Sequence, residues 1–338
     1  MRAAALGFAA LCCAPVGARA QEGAASFYRG KTVQFYTMGS PGGGYDAYTR
    51  TIGARLEKST GAHVVTLNEP AAGGLVAMNR LLSARPDGLT ILLIGGEGLA
   101  LASLLGEPGV NYDLSSQAWL ARVSAESKVA LLGPKSPFKS LADMAASERT
   151  VMWAGAGRAD GNTDYQALLA HATGMKAKIV LGYKGTGGMN LAMETGEVDG
   201  RVVSDEAAAL YGPNSGMRVV ASLARQRSED FPDAPTIFES IKLTPAVERI
   251  LDWRAGISAL GRVIDMTPGS PADRVDYLRA QLRRVLTDPD FIAETKKLGL
   301  SAAYASGEDL TKMMAGAMTT LDAKSLDEIK DIVVNRYY

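Results

Sequence analysis

The sequence predicts an α/β protein of two domains, each a mostly parallel sheet flanked by helices. Three observations carry that expectation. Short apolar runs alternate with amphipathic stretches of helical period, the pattern of strands joined by crossover helices. Glycine-rich loops stand after several of the strand-like runs and before the helix-like ones. Once a leader is set aside, roughly 318 residues remain, more than one domain usually holds.

The leader comes first. Residues 1–20 read as a secretory signal peptide: Arg2 is a thin basic start, Ala3 to Pro15 is mostly apolar, and Ala18-Arg19-Ala20 fits a small-x-small cleavage site. The run is too short to span a bilayer. The expectation is a soluble protein exported to the periplasm. Cys12 and Cys13 are the only cysteines and both fall in the leader, so the mature chain is expected to have no thiol, disulfide or cysteine metal site. Cleavage removes Arg2 and Arg19 from the 36 basic residues, so 34 face 36 acidic ones. A net charge of about −2 gives no reason to expect nucleic acid or an anionic membrane as partner.

The elements follow in order. Thr32 to Thr37 is a strand, with Val33, Phe35 and Tyr36 apolar, and the loop Met38-Gly39-Ser40-Pro41-Gly42-Gly43-Gly44-Tyr45-Asp46 comes after it. Tyr48, Ile52 and Leu56 then mark a helix by their spacing. Asp46 near its start suits capping and the helix dipole better than ligand contact. His63 to Leu67 is the next strand, followed by the loop Pro70 to Gly74 and a helix marked by Leu75, Met78 and Leu82. Pro86-Asp87-Gly88 is a turn. Thr90 to Ile94 is a buried strand that runs into Gly95-Gly96-Glu97-Gly98, expected as a flexible loop facing a cleft.

Val129 to Leu132 begins a second set of strands. Val151 to Ala154 leads into the loop Gly155 to Asp164 and a helix with Tyr165, Leu168, Leu169 and Ala172. Ile179 to Leu181 ends at Tyr183-Lys184, Met189 to Glu194 is a short helix, and Val198 to Val203 and Met217 to Leu223 are strands. Beyond Pro271 the chain reads as helical. Val275, Leu278, Leu282, Val285 and Leu286 form one stripe, and Phe291, Ile292, Thr295 and Leu298 another. Ser306 with Asp309 makes a capping box ahead of Leu310, Met313, Met314, Met318 and Leu321, methionines at core spacing.

The chemistry points to anion binding. Helix N-termini expose N–H donors and partial positive charge, and glycine lets a ligand approach the backbone. Several such loops converging on one cleft would hold a small carboxylate with few charged side chains. There is no Walker-type loop, no HExxH pair and no GxSxG elbow. Gly155-Ala156-Gly157-Arg158-Ala159-Asp160 starts like a dinucleotide fingerprint but lacks the third glycine. His63 and His171, the only histidines, fit surface or packing duties better than catalysis.

Four stretches together resemble the extracytoplasmic solute receptors of tripartite tricarboxylate transporters, the Bug family of periplasmic binding proteins. They are Pro41-Gly42-Gly43-Gly44-Tyr45-Asp46-Ala47-Tyr48-Thr49-Arg50; Asn68 to Gly74 with Ala84-Arg85-Pro86-Asp87-Gly88; Gly182-Tyr183-Lys184-Gly185 with Leu191 to Gly200; and Phe231 to Thr236 through Pro268-Gly269-Ser270-Pro271-Ala272 and Asp288-Pro289-Asp290-Phe291. The resemblance implies a two-lobed flytrap fold, type II-like, with residues 27–123 and 254–338 in one lobe and 124–253 in the other. It implies a small organic anion, such as a di- or tricarboxylate, held by backbone N–H groups and water, and delivery to membrane permease subunits. No cofactor, no metal and no catalysis are implied, and a monomer is expected.

Carried onto this chain, the resemblance puts Ser40, Pro41, Gly42, Gly43, Gly44, Tyr45 and Asp46 on one wall with Gly73. Tyr183, Lys184, Gly185 and Thr186 stand on the other, with Gly157 and Arg158 lining its side. Arg201 and Asp205 follow the Val198-Asp199-Gly200 motif, and Arg201 is a candidate bidentate partner for a carboxylate. Many relatives carry Phe-Pro-Ala-Gly-Gly in the first loop. Here Gly39-Ser40-Pro41-Gly42-Gly43 lacks that aromatic wall, and Tyr45 or Trp153 are the candidates to replace it. Two alternatives stay open: a receptor that signals to a membrane sensor, and a hydrolase or isomerase on a two-domain α/β scaffold.

Overall fold

The computed structural model describes residues 23–39, 41–70, 74–155, 157, 161–183, 185–212, 215–319 and 322–338. The expected signal peptide lies outside the described residues. A short helix over residues 23–28 (α1) precedes β1 (Thr32–Thr37), α2 (Gly44–Thr60), β2 (His63–Asn68), α3 (Leu75–Leu82), β3 (Thr90–Gly95), α4 (Gly96–Leu105) and β4 (Ala118–Ser124). The chain then crosses to β5 (Lys128–Leu132), α5 (Leu141–Ala146), β6 (Val151–Ala154), α6 (Thr163–Thr173), β7 (Ala177–Val180), α7 (Gly185–Thr195), β8 (Gly200–Ser204), α8 (Asp205–Tyr211), β9 (Arg218–Ser222) and α9 (Ile237–Ser240). Helix α10 (Pro245–Ser258) brings it back to β10 (Arg262–Met266), α11 (Ala272–Leu286), α12 (Pro289–Lys297), β11 (Ala305–Ser306), α13 (Gly307–Thr319) and α14 (Ala323–Asp331). A π-helical turn, Ile332–Arg336, closes it.

These strands form two sheets, ordered β11-β4-β10-β3-β1-β2 and β7-β6-β8-β5-β9. In the first, β1 pairs parallel with β2 and β3, and β10 lies antiparallel between β3 and β4, so β1 to β4 share one direction. In the second, β6 pairs parallel with β7 and β8, and β5 lies antiparallel between β8 and β9. Each sheet is thus a parallel set with a reversed strand inserted, entered straight after the chain crosses from the other sheet, and the short β11 adds a second reversed strand at the edge of the first sheet. This is the expected mostly parallel two-sheet α/β architecture. Strands β3 and β5 are buried along almost their whole length and read as continuous apolar runs, as central strands do.

Helices cover both faces of both sheets. Tyr48, Ile52 and Leu56 of α2 join Leu278 and Leu282 of α11 on one face of the first sheet. On its other face, α3 and α4 pack into a core that continues through Ile250, Leu251, Trp253 and Ile257 of α10 to Trp153 and Tyr165 by the second sheet. Ala192 and Met193 of α7 and Ala208 of α8 cover the remaining face. Met314 is buried, and Met313 and Met318 pack beside it, so the methionine stripe is core packing.

Three features depart from the expectation. The sequence pattern does not single out β4 or β10, because each central strand carries a polar residue where alternation wants an apolar one. Arg122 in β4 spends its guanidinium on the carbonyls of Ala303 and Ala259, and Asp265 in β10 is fully buried. Gly95 to Gly98 is not a flexible loop, since α4 begins at Gly96. The C-terminal segment, expected with the first lobe, packs on α6 of the second. Ile332 and Val333 are buried there, and Ile179 N–H of β7 donates to the Tyr337 carbonyl at 2.7 Å.

Candidate ligand-binding crevice

In open α/β sheets, ligands bind beyond the carboxyl ends of the strands, where adjacent connections leave to opposite faces. Strand β1 leads into α2 on one face of its sheet, and its neighbour β3 leads into α4 on the other. In the second sheet, β6 leads into α6 and its neighbour β8 into α8, again on opposite faces. The two switch points face each other, because side chains at one contact side chains at the other. Glu97 at the start of α4 meets Lys128 of β5 at 3.2 Å, and a Cβ at Gly161, in the β6–α6 loop, would lie 2.9 Å from Glu97 Oε1.

The first wall of this crevice is built from glycine N-caps. Gly43, Gly74 and Gly95 cap α2, α3 and α4, and none supplies a side-chain hydrogen bond to its helix. Away from the crevice, Ser140, Thr236, Thr244, Asp288 and Asp322 each cap their helices with a side-chain oxygen; α11, capped by Pro271, is the exception. The N-terminus of α4 is closed off, since Gly96 N–H donates to the Gly261 carbonyl at 2.8 Å. On this wall, that leaves α2 and α3 as the helix starts without a capping side chain. Gly74 must be glycine: its φ is 100°, and a Cβ would press on Ile94 and the Met38 sulfur.

Asp46 and Tyr45 fix the shape of the first loop. The Asp46 carboxylate is buried and accepts from Gly42 N–H at 2.9 Å, Asn68 Nδ2 at 3.0 Å and Arg50 Nε at 2.9 and 3.0 Å. The Arg50 hydrogen bond, with those from Gly42 and Asn68, holds its pKa at about 2. Asn68 also donates to the Gly39 carbonyl at 2.8 Å, so one carboxylate and one amide lock both limbs of the loop. The Tyr45 side chain fills the space over Gly39 and Gly95. A Cβ on Gly39 would collide with Tyr45 Cβ, and one on Gly95 would lie 2.8 Å from the Tyr45 hydroxyl. Arg262 stacks over the rings of Tyr45 and Tyr48.

A buried ionic network joins the two walls. Arg254 of α10 is fully buried, binds both oxygens of Asp164 at 2.7 and 3.0 Å, reaches Glu97 at 2.5 Å and the Gly161 carbonyl at 2.8 Å, and lies 4.2 Å over the Tyr165 ring. Lys128 bridges Glu97 and Glu126, each at 3.2 Å. Arg262 pairs with Glu126 at 3.0 Å and Glu206 at 3.6 Å, and Glu206 accepts from Ser301 N–H at 2.9 Å. Burial alone would raise Glu97, but Lys128 and Arg254 bring it down to about 2. For Asp164 burial wins, and its pKa rises above the ordinary carboxylate value even beside Arg254.

The residues expected at the site fall into distinct positions. Ser40, Gly73, Arg158 and Lys184 lie outside the described residues. Pro41, Gly42, Gly43 and Gly44 are exposed at the start of α2. Gly157 has open space around it. Gly185 and Thr186 open α7, while the Tyr183 hydroxyl donates to Glu197 within its own lobe. Asp205 opens α8, where its carboxylate accepts from Ser228 at 3.0 Å and burial raises its pKa. Arg201 is not at the crevice edge. It is buried within β8 opposite Leu131, three residues (about 10 Å along the strand) before Ser204. Trp153 is a core residue with no exposed surface, so of the two aromatic candidates only Tyr45 stands by the first loop.

The sequence reading missed Glu97, Glu126, Lys128, Glu206, Arg254 and Arg262 as site residues. They come from five separate segments, Glu126 and Lys128 sharing one, and only the glycines around Glu97 gave a local signal. A cavity of about 970 Å3 opens beside the crevice, on the β9 side, between α8, α10 and the end of α12. Asp205 is the only expected site residue that lines it, and none of the glycine N-caps does.

A sequence model described as the tripartite tricarboxylate transporter family receptor matches residues 48–324. The chain belongs to this family. A UPF0065 protein of Bordetella bronchiseptica is 24% identical over 291 residues, which cover 84% of this chain and 82% of that protein. A TctC solute binding protein from Polaromonas shares the fold with a TM-score of 0.70 at 19% identity, covering 90% of this chain and 99% of that one. Rpa4515 of R. palustris, in a structure with adipate, has a TM-score of 0.69 at 17% identity, covering 90% and 97%. As a member of the family, the protein is a solute-binding receptor of the tripartite transporter type. The match begins at Tyr48, after the first loop. Among the described residues no helix is long and apolar enough to cross a membrane.

Proposed function

We propose that this receptor captures a small dicarboxylate or related organic anion in the crevice between its two sheets, and delivers it in the periplasm to membrane permease subunits. The observation that carries the reading is the pair of helix starts, α2 and α3, whose N-caps are glycines and which meet at the β1–β3 switch point. Helix N-termini satisfy a carboxylate with backbone donors and partial positive charge. The solved relative with adipate supports a dicarboxylate as ligand.

One carboxylate would sit on the first loop, Ser40 to Gly44, with Gly73 beside it. The second lobe would add Tyr183 to Thr186, Gly157 and Arg158, with Asp205 at the rim. The first lobe comprises residues 27–123 and the chain from about 254 to the end of α13, and α14 rides on the second. Binding stabilises the closed arrangement by touching both walls at once. No bond is made or broken, and the ligand leaves unchanged.

A thermal-shift screen of the protein from Gln21 tests this. The panel holds C4 to C6 dicarboxylates, tricarboxylates, acidic amino acids and aromatic acids. A true ligand at a hundred times its Kd adds roughly 2.7 kcal/mol of stability, and mass spectrometry recovers it intact. Protein that has been unfolded and refolded to strip any resident ligand, yet shifts with none of them, rules the reading out. Chemical conversion of a ligand points to an enzyme instead.

A further inference from the structure

We propose that Arg254 is a positioning residue that lets the first lobe set the shape of the second lobe's ligand loop. The inference rests on the crevice being the ligand site. Arg254 lies in neither sheet. It stands on α10, between the two sheets, fully buried. Besides Ser258 on its own helix, its guanidinium holds three groups at once. Asp164 in the first turn of α6 takes two hydrogen bonds, the Gly161 carbonyl in the β6–α6 loop takes one, and Glu97 in the first turn of α4 takes one. Ser258 links the same groups a second time, accepting from Arg254 at 2.9 Å and donating to Glu97 at 3.1 Å.

The geometry gives this arrangement a direction. A planar guanidinium fixes its partners in one plane, and stacking on Tyr165 at 4.2 Å fixes that plane against α6. Gly161 and Asp164, at the α6 end of the β6–α6 loop, are thereby tied to the first lobe through Glu97, not through their own sheet alone. Gly161 approaches Glu97 so closely that a side chain there would displace the carboxylate. Glu97 and Asp164 share one cation, so losing either frees the guanidinium to move toward the other. A residue that only filled space would not couple two carboxylates on different lobes.

Amide hydrogen exchange on three near-isosteric variants, Glu97→Gln, Asp164→Asn and the double variant, tests the proposal, with adipate affinity measured alongside. Glu97→Gln is expected to raise exchange at residues 161–166, in the opposite lobe, at least tenfold, and to weaken adipate binding by a similar factor. The double variant is expected to match the worse single variant within about threefold. Arg254→Lys, which keeps the charge but loses the planar fork, is expected to behave like Asp164→Asn. Unchanged exchange at 161–166 in Glu97→Gln, or effects that multiply in the double variant, would overturn the coupling. If adipate fails to bind wild-type protein, adipate is not the ligand, and the exchange measurements still decide the role of Arg254.

Discussion

At the residue scale, the first loop separates residues that shape the site from those that would touch a ligand. Asp46 stands next to the glycines in sequence, yet its carboxylate is spent on Gly42, Asn68 and Arg50. The sequence reading of Asp46 as a helix-start residue therefore describes it better than its place among the ligand contacts. Gly43 is the opposite case. Its φ of −83° and ψ of 172° suit any residue, and it is exposed, so its backbone conformation does not demand glycine there. A side chain at Gly43 would stand where an anion must approach the start of α2. Gly43→Val is expected to lower the melting temperature by no more than about 4 °C, since replacing an N-cap glycine with a β-branched residue costs about 1 kcal/mol. It is expected to weaken ligand binding at least tenfold. Unchanged affinity in calorimetric titration would remove the first loop from the site.

At the element scale, the strands that carry the lobe crossings explain both what the sequence showed and what it hid. Strands β1, β3, β5 and β6 are regular apolar runs and were legible. Strands β4 and β10 were not, because a central position in each is polar, and only the folded structure shows what Arg122 and Asp265 do there. The Asp265 carboxyl makes one hydrogen bond, from Met266 N–H at 2.9 Å, and burial pushes its pKa well above 3.8. The unfolded chain releases that proton at ordinary acid pH, while the folded chain retains it. Stability from this group is therefore full below about pH 4 and declines as the pH rises toward the folded value. Asp265→Asn, which has no proton to lose, is expected to raise the urea midpoint at pH 7. The difference from wild type should shrink to nothing as the pH falls to about 4. A variant less stable than wild type at pH 7 would mean that the ionised carboxylate has a stabilising partner.

At the scale of the whole molecule, glycine loops after strands announced the class of fold and pointed to an anion as the proposed ligand. They did so because strand-to-helix turns and anion cradles need the same backbone freedom. They did not reveal the ionic network, whose members come together only when both sheets are in place. Lys128 and Arg262 illustrate the point: each looks like a solvated charge at a strand end, yet Lys128 is buried and Arg262 partly buried, each between two acids. Nor did the sequence place the C-terminal turn, whose apolar residues Ile329, Ile332 and Val333 fit either lobe by composition. The structure joins the lobes by more than two crossing strands. The core running through α10, the Arg254 cluster and the Arg262–Glu206–Ser301 link all span them. Closure is accordingly expected as a small rotation about α10 that preserves this network, with the movement concentrated in the glycine loops.

The central claim is that one ligand is held by both sheets at their facing switch points. Amide hydrogen exchange with and without the best ligand from the screen tests it most directly. Protection is expected together at residues 41–47 and 74–77 on the first lobe and at 157–165 and 183–187 on the second. Protection confined to one lobe, or centred on the neighbouring cavity at residues 225–230 and 299–303, would contradict the account.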